Sequence, residues 1–345
     1  MGDSSNGKDV RFGIVGCGMI SRFHAEAIRR TPGAAIAGCF DAYRPGADAF
    51  GADFGVPVFP SLEAIASDSA IDALAICTPS GLHTPQAIGA IRRGKHVVVE
   101  KPMSLTLADA DALIAESDAR GAKVCVISQF RFSPAVREVR KAIQSGAFGA
   151  LTMAELSMKY FRSHEYYAQA DWRGTWQMDG GGALMNQGIH GVDVFRFLLG
   201  PVKSVSATAR TLTRMIETED SVVAALELAN GALAAISAST CSYPGYPRRL
   251  EICGDSGSVA LEEDSILKWD LPYECPLPVG ERASRVASSD PAAISVEGHA
   301  MQYANMVDAI RSGAPLLVDA KQGRQPLEII LGIYESSKTG KTVYL

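Results

Sequence analysis

Five short apolar runs recur in the first 128 residues, and helical patterns separate them. The runs are Arg11 to Gly16, Ala34 to Phe40, Ile71 to Cys77, His96 to Val99 and Lys123 to Ser128. In the fourth, Val97, Val98 and Val99 follow one another without polar alternation, which marks a strand buried on both faces. Helical patterns run through Arg30, Ser61 to Ala66, His83 to Arg93, Thr106 to Arg120 and on to about Gln144. This alternation specifies an α/β doubly wound parallel sheet, whose ligands bind beyond the carboxyl ends of the strands.

The first loop carries Gly16-Cys17-Gly18-Met19-Ile20-Ser21 between a strand and a helix, the context of a dinucleotide fingerprint. Gly16 permits the tight turn, and Gly18 lets a pyrophosphate approach the helix N-terminus. Ser21 replaces the third glycine, so the helix is expected slightly farther from the strand. Asp41 ends the second run, 25 residues after Gly16. There a carboxylate accepts the ribose hydroxyls and repels a 2′-phosphate, which favours NAD over NADP. Arg44 could hold that phosphate, and Asp41 could instead be a turn acid. Thr78 and Pro79 would lie along the cofactor's edge, and His83 reads as a helix-start residue. Met19, Ile20, Glu100, Lys101, Gln129, Trp172 and Arg173 complete the candidate cofactor-binding set.

The pattern changes after residue 128, giving domains 1–128 and 129–345. Leu151 to Phe161, Val202 to Thr213, Ser221 to Ala229, Ala232 to Cys241, Arg248 to Cys253, Ser258 to Glu262 and Ile266 to Trp269 read as strands. Asn230-Gly231 is a hairpin signal, so the second domain is expected to be α+β with a large open antiparallel sheet. Its Ala- and Ser-rich strands suggest a flat face against a second subunit. Residues 272–298 read as a long loop, and helices within about 300–338 are expected to return to the first domain.

A net charge of −5 and the lack of a Lys/Arg run argue against nucleic acid or a membrane surface as partner. No apolar stretch is long enough to span a bilayer, and the first ten residues lack an apolar core. Seven scattered cysteines read as fillers in a reducing compartment, with no metal pattern. A cytoplasmic protein is expected.

Gly180 to Asp193 is the most informative stretch. Asn186 and His190 are four apart on an expected helix and Asp193 three further on, which puts a polar stripe on one face. Such a stripe is wet, satisfied internally or functional. Tyr160, Arg162, Tyr166, Trp172, Arg173 and Trp176 lie upstream, where rings suit sugar C–H faces and guanidinium groups suit hydroxyls; the alternative is a loop packed on the sheet edge. With Lys101, Arg131, Asn186, His190 and Asp193, the residues Tyr160, Arg162, Tyr166 and Trp176 make the candidate substrate set.

Gly16-Cys17-Gly18, Glu100-Lys101-Pro102 and the Gly180 to Asp193 stretch together resemble the family of glucose–fructose oxidoreductase and inositol dehydrogenase (Gfo/Idh/MocA). The resemblance runs through nearly the whole chain. It implies a Rossmann domain, a second domain with an open antiparallel sheet, assembly into dimers or tetramers, and NAD(P)-linked oxidation or reduction of a sugar or cyclitol hydroxyl. It implies Lys101 and His190 as the motif lysine and histidine. Asn186 stands where many members carry aspartate, so an Asp–His relay is not expected. The catalytic set is then Lys101, His190 and Asn186. Two other readings remain open: glycoside cleavage through transient C3 oxidation, and a catalytically silent NAD-binding regulator.

Overall fold

The computed structural model describes residues 8–280 and 295–345, so the expected loop lies outside it over 281–294. The described residues fall into two compact units, one within the bounds Met1–Gln129 and Ser295–Gly323, the other within Phe130–Ile294 and Arg324–Leu345.

In the first unit, β1 (Val10–Val15), β2 (Ala34–Phe40), β3 (Ala73–Ile76), β4 (His96–Val99) and β5 (Val124–Val126) form one sheet in the order β2-β1-β3-β4-β5. Every pair is parallel. A single parallel bridge from Cys39 to Val58 adds a vestigial strand outside β2, completing the six-stranded Rossmann order. The helices are α1 (Met19–Arg30), α2 (Arg44–Phe54), α3 (Leu62–Ser67), α4 (His83–Arg92) and α5 (Leu107–Arg120). Their starts follow local chemistry: Ser61 caps α3 by accepting from Ala64 N, and Thr106 caps α5 by accepting from Asp109 N. β3 is buried along its whole length and Val97 to Val99 of β4 likewise, as a central parallel strand requires.

The second unit holds α6 (Pro134–Gln144), β6 (Leu151–Lys159), α7 (His164–Ala168) and α8 (Ile189–Leu199), then β7 (Val202–Arg210), β8 (Ser221–Leu228), β9 (Leu233–Ser239), β10 (Arg249–Gly254), β11 (Ser258–Glu262) and β12 (Ser265–Asp270). With the short β13 (Val343–Tyr344) they make an eight-stranded sheet, β12-β11-β10-β6-β9-β8-β7-β13. It is open and mostly antiparallel, as expected, with one exception: β6 and β9 pair in parallel. The chain leaves β6, passes through residues 160–199 and re-enters at β7, so β9 comes back beside β6 in the same direction. α8 packs on β6, and the turn before it packs on β8 and β9. Burial alternates along β8 and β9, with the other face of the sheet exposed.

α9 (Glu297–Ser312) closes the first unit against α1, with the Tyr303 ring edge-on to Phe12 at 5.0 Å. α10 (Ala320–Thr339) is divided, and from Arg324 it belongs to the second unit. There Ser336 and Ser337 accept the Ala207 and Ala209 amides of β7. α9 thus belongs to the first unit, and the later turns of α10 to the second. Among the described residues no helix is long and apolar enough to cross a membrane. The seven cysteines form no disulfide.

Candidate active site

The sequence places Gly16, Asp41, Thr78, Lys101 and Gln129 just beyond the carboxyl ends of β1 to β5. Gly16 has φ +90°, and a Cβ there would meet Cys77 and Thr78 backbone at 2.8–2.9 Å, so only glycine fits. Among the described residues nothing lies within 4 Å of a Cβ built on Gly18. Gly18 starts α1 without a side-chain cap, and the first turn holds no acid. That leaves the first amides of a twelve-residue helix and open backbone for a pyrophosphate. Ser21 is fully buried, and its hydroxyl donates to Gly18 O at 2.6 Å. Met19 is exposed, whereas Ile20 packs on the core.

Asp41 is half-buried. Its carboxylate accepts Cys17 N at 2.6 Å and Tyr43 N at 2.7 Å, so it ties the glycine loop to β2. It is thus a turn acid, and acceptor sites remain for a ribose. Arg44 is paired with Asp48 one turn on, at 2.8 Å. Thr78 donates to Gln86, and Pro79 precedes a single 3₁₀ turn. His83 starts α4 but is buried, its ring nitrogens 2.7 Å from Pro102 O and Thr78 O. It ties together the loops after β3 and β4. Burial depresses its pKa against the pull of the two carbonyls. Glu100 is also turned inward, toward His24 at 2.9 Å, and it accepts the Lys101 amide at 3.1 Å. Gln129 is buried.

In the second unit, the chain before α8 is a π-helical turn, Ala183–Gly188, a device that recurs at functional sites. Its wider winding changes the expected stripe. Asn186 donates to the buried Asp179, and its Oδ1 accepts from Gln187 Nε2 at 2.9 Å. His190 lies in the first turn of α8, half-exposed, with Phe130 edge-on at 5.3 Å. Asp193 turns elsewhere, gripping Arg131 at 2.9 and 2.6 Å. Arg131 is 0 % exposed and Asp193 3 %, so neither offers a surface to a substrate, and Asp193 spends both oxygens on the guanidinium.

The aromatic stretch forms a network centred on Gln187. Gln187 donates to Tyr166 OH at 2.9 Å and accepts from Arg162 at 2.9 Å. Arg173 donates to Tyr166 OH and lies over the Tyr166 and Trp172 rings. Trp176 is 47 % exposed, with its ring edge-on to Tyr334. Tyr160 is buried, its hydroxyl pKa pushed up by burial. Arg162 and Tyr166 therefore gather around Gln187, which reaches Asn186, whereas Tyr160 is buried.

Two family models match: residues 10–128 fit the oxidoreductase family with NAD-binding Rossmann fold, and residues 136–260 the GFO/IDH/MocA C-terminal domain. The chain belongs to the Gfo/Idh/MocA oxidoreductases. Inositol 2-dehydrogenase of Rhizobium meliloti (strain 1021) is 30% identical over 93% of this chain and 94% of that one. D-apiose dehydrogenase of Paraburkholderia graminis is 27% identical over 98% and 90%. The crystal structure of the WlbA dehydrogenase from Bordetella pertussis, in complex with NADH and UDP-GlcNAcA, superposes with a TM-score of 0.88. It is 34% identical, covering 98% of this chain and 99% of that one.

The first domain of this Gfo/Idh/MocA chain is an NAD-binding Rossmann domain, and its glycine loop fits the dinucleotide. Several residues that build the site carry no signal in the sequence. Asp179 holds Asn186 and also accepts Gly174 N at 2.8 Å. Glu219 accepts Gly182 N, Leu184 N and Tyr334 OH at 2.8–2.9 Å, pinning the start of the π turn. Burial raises the Glu219 pKa, and those donors oppose the rise. Asp179 and Glu219 adjoin glycine-rich or strand-edge segments, but nothing local marks their partners.

Proposed function

We propose that this chain moves a hydride between nicotinamide C4 and a ring hydroxyl carbon of a sugar derivative, with nucleotide-linked sugars as the foremost class. The observation that carries the reading is Lys101, fixed through its own backbone amide at the end of β4 in an NAD-binding domain. NAD, when bound, supplies the hydride acceptor. His190 removes the hydroxyl proton as the hydride leaves, and the Lys101 ammonium stabilises the developing oxyanion. Asn186 does not titrate. Held by Asp179 and Gln187, it contributes hydrogen bonds to the substrate or to His190. Asp41 supports NAD over NADP, with Arg44 engaged by Asp48. The full-length likeness to WlbA, solved with NADH and UDP-GlcNAcA, supports the nucleotide sugar, and the Arg162–Tyr166–Arg173 group supplies cationic and aromatic contacts.

Under this reading residues 1–128 bind the cofactor, and 129–345 bind substrate and assemble the oligomer. The exposed sheet face carries the registered row Glu155–Ala235–Ala225–Ser206 beside Ser157–Ser237–Val223–Thr208. So flat a face, with Val223 65 % exposed, suits a second copy of the chain in a homodimer or homotetramer. Seven unpaired thiols suit the cytoplasm.

The test is NADH absorbance with a panel of nucleotide sugars, free sugars, glycosides and cyclitols, NAD and NADP in parallel. Lys101→Ala and His190→Ala should each abolish turnover while NAD still binds. Turnover like that of the wild type in either variant would overturn the assignment.

A further inference from the structure

Behind Lys101 lies a buried chain of hydrogen bonds that the proposed reaction does not use. Tyr303 OH stands 2.7 Å from His24 Nδ1, His24 Nε2 stands 2.9 Å from Glu100 Oε1, and Glu100 Oε2 receives the Lys101 amide at 3.1 Å. Tyr303 and His24 are 0 % exposed and Glu100 5 %. The direction of the chain follows from its end. Glu100 is held well below the usual carboxylate range, burial being outweighed by the hydrogen bond from His24, the nearby His299 ring and the Lys101 charge, so it can only accept. His24 Nε2 must therefore donate. Burial lowers the His24 pKa, so the ring is neutral and accepts at Nδ1, where Tyr303 donates.

His24, Glu100 and His299 each offer one atom to a group that spans no more than 4.8 Å, as ligands of a metal ion would. Ligand atoms around a zinc at about 2.1 Å stand roughly 3.4 Å apart. Here the separations from Glu100 Oε1 are 2.9 Å, a hydrogen bond, and 3.9 Å, with His299 outside bonding distance. A dication would also face the Lys101 ammonium, whose attraction already lowers the Glu100 pKa. The hydrogen-bonded chain accounts for the distances better.

We propose that His24 and Tyr303 are positioning residues for Lys101: through the Glu100 carboxylate they fix the lysine's backbone, and the carboxylate's charge keeps its amine an ammonium. His24 lies on α1, the helix that begins at the dinucleotide loop, so one rigid element serves both cofactor and lysine. The other titratable groups facing Glu100 are His299, Tyr303, Cys77 and His83, and Lys101 is the cation among them.

The inference rests on Lys101 acting as proposed above, so its test includes an arm independent of turnover. The full chain is reductively methylated with ¹³C, and the Lys101 resonance, assigned with Lys101→Arg, is titrated by NMR. Glu100→Gln should lower its midpoint by about 1 pH unit or more, the usual effect of losing an adjacent opposite charge. A midpoint that stays put overturns the charge role, whether or not any sugar is turned over. In the kinetic arm His24→Leu should lower kcat roughly tenfold or more, as loss of a hydrogen bond to a charged group predicts, with KM for NAD nearly unchanged. His24→Gln, which keeps a donor toward Glu100, should restore most of it, and Tyr303→Phe should fall between. If His24→Gln is as impaired as His24→Leu, packing rather than positioning is at work. One equivalent of metal in the purified protein would also overturn the proposal.

Discussion

Replacing Arg131 by methionine should destabilise the second unit and leave substrate affinity alone. The guanidinium is fully buried and holds Asp193 through two bonds at 2.6 and 2.9 Å. Removing one partner of such a pair strands the other charge at a cost of about 3–5 kcal/mol. The surroundings decide where in that range each variant falls. Arg131 and Arg140 both lie over the Phe197 ring at 4.9 Å. Burial and then Arg131 depress the pKa values of both Arg140 and Arg196, so three guanidinium groups crowd one place. Arg131→Met relieves that crowding and should cost about 3 kcal/mol, whereas Asp193→Leu leaves three cations facing one another and should cost about 5 kcal/mol or more. The double variant should return to within about 1 kcal/mol of the wild type, which a double-mutant cycle reads as coupling of several kcal/mol. Urea unfolding followed by tryptophan fluorescence measures this selectively, because Trp172, Trp176 and Trp269 all lie in the second unit. Additive single effects, or a raised sugar KM in Arg131→Met with an unchanged unfolding midpoint, would show that the pair serves the substrate after all.

Gly16→Ala should weaken NADH binding at least tenfold by fluorescence titration, since the positive φ alone costs about 1–2 kcal/mol before the contact with Cys77 is relieved. Asp41→Asn should raise the NADP-to-NAD ratio of kcat/KM roughly tenfold, because a like charge near the 2′-phosphate is worth about 1–4 kcal/mol between water and a partly buried setting. His24 has a depressed folded pKa, so its contribution to stability is present above the unfolded value near 6.5 and is lost as pH falls below it. Chemical denaturation below pH 6.5 should lose up to about 1.4 kcal/mol per pH unit to this group, and His24→Gln should flatten the slope by one proton. Ala235→Arg should lower the mass found by sedimentation if the open sheet face joins two copies, and an unchanged mass would place any interface elsewhere.

The parts legible in the sequence are those whose physics is local. Val97 to Val99 must be a buried strand wherever it sits, and Gly16 must turn where no side chain can. Contacts across the fold are a different matter. A helix face reveals which of its residues share a direction, but not which element stands opposite. Asp193 was expected beside His190, yet Arg131, 62 residues away, claims it. The π turn adds to this, since its wider winding carries Asn186 to Asp179 and away from the stripe that an ordinary helix would have made. The same blindness hid Tyr303, which reaches His24 from 279 residues on. It also hid Val58, a single bridge with no run of its own, which nevertheless completes the order of the parallel sheet. In each case the missing partner is a buried polar group or a lone backbone pairing, whose energy comes from satisfying a group the local pattern leaves open. A buried polar residue in a sequence is therefore best read as a demand for an unseen partner. Glu100 makes that demand most strongly, ending an apolar strand with a charge that must be answered from elsewhere in the chain.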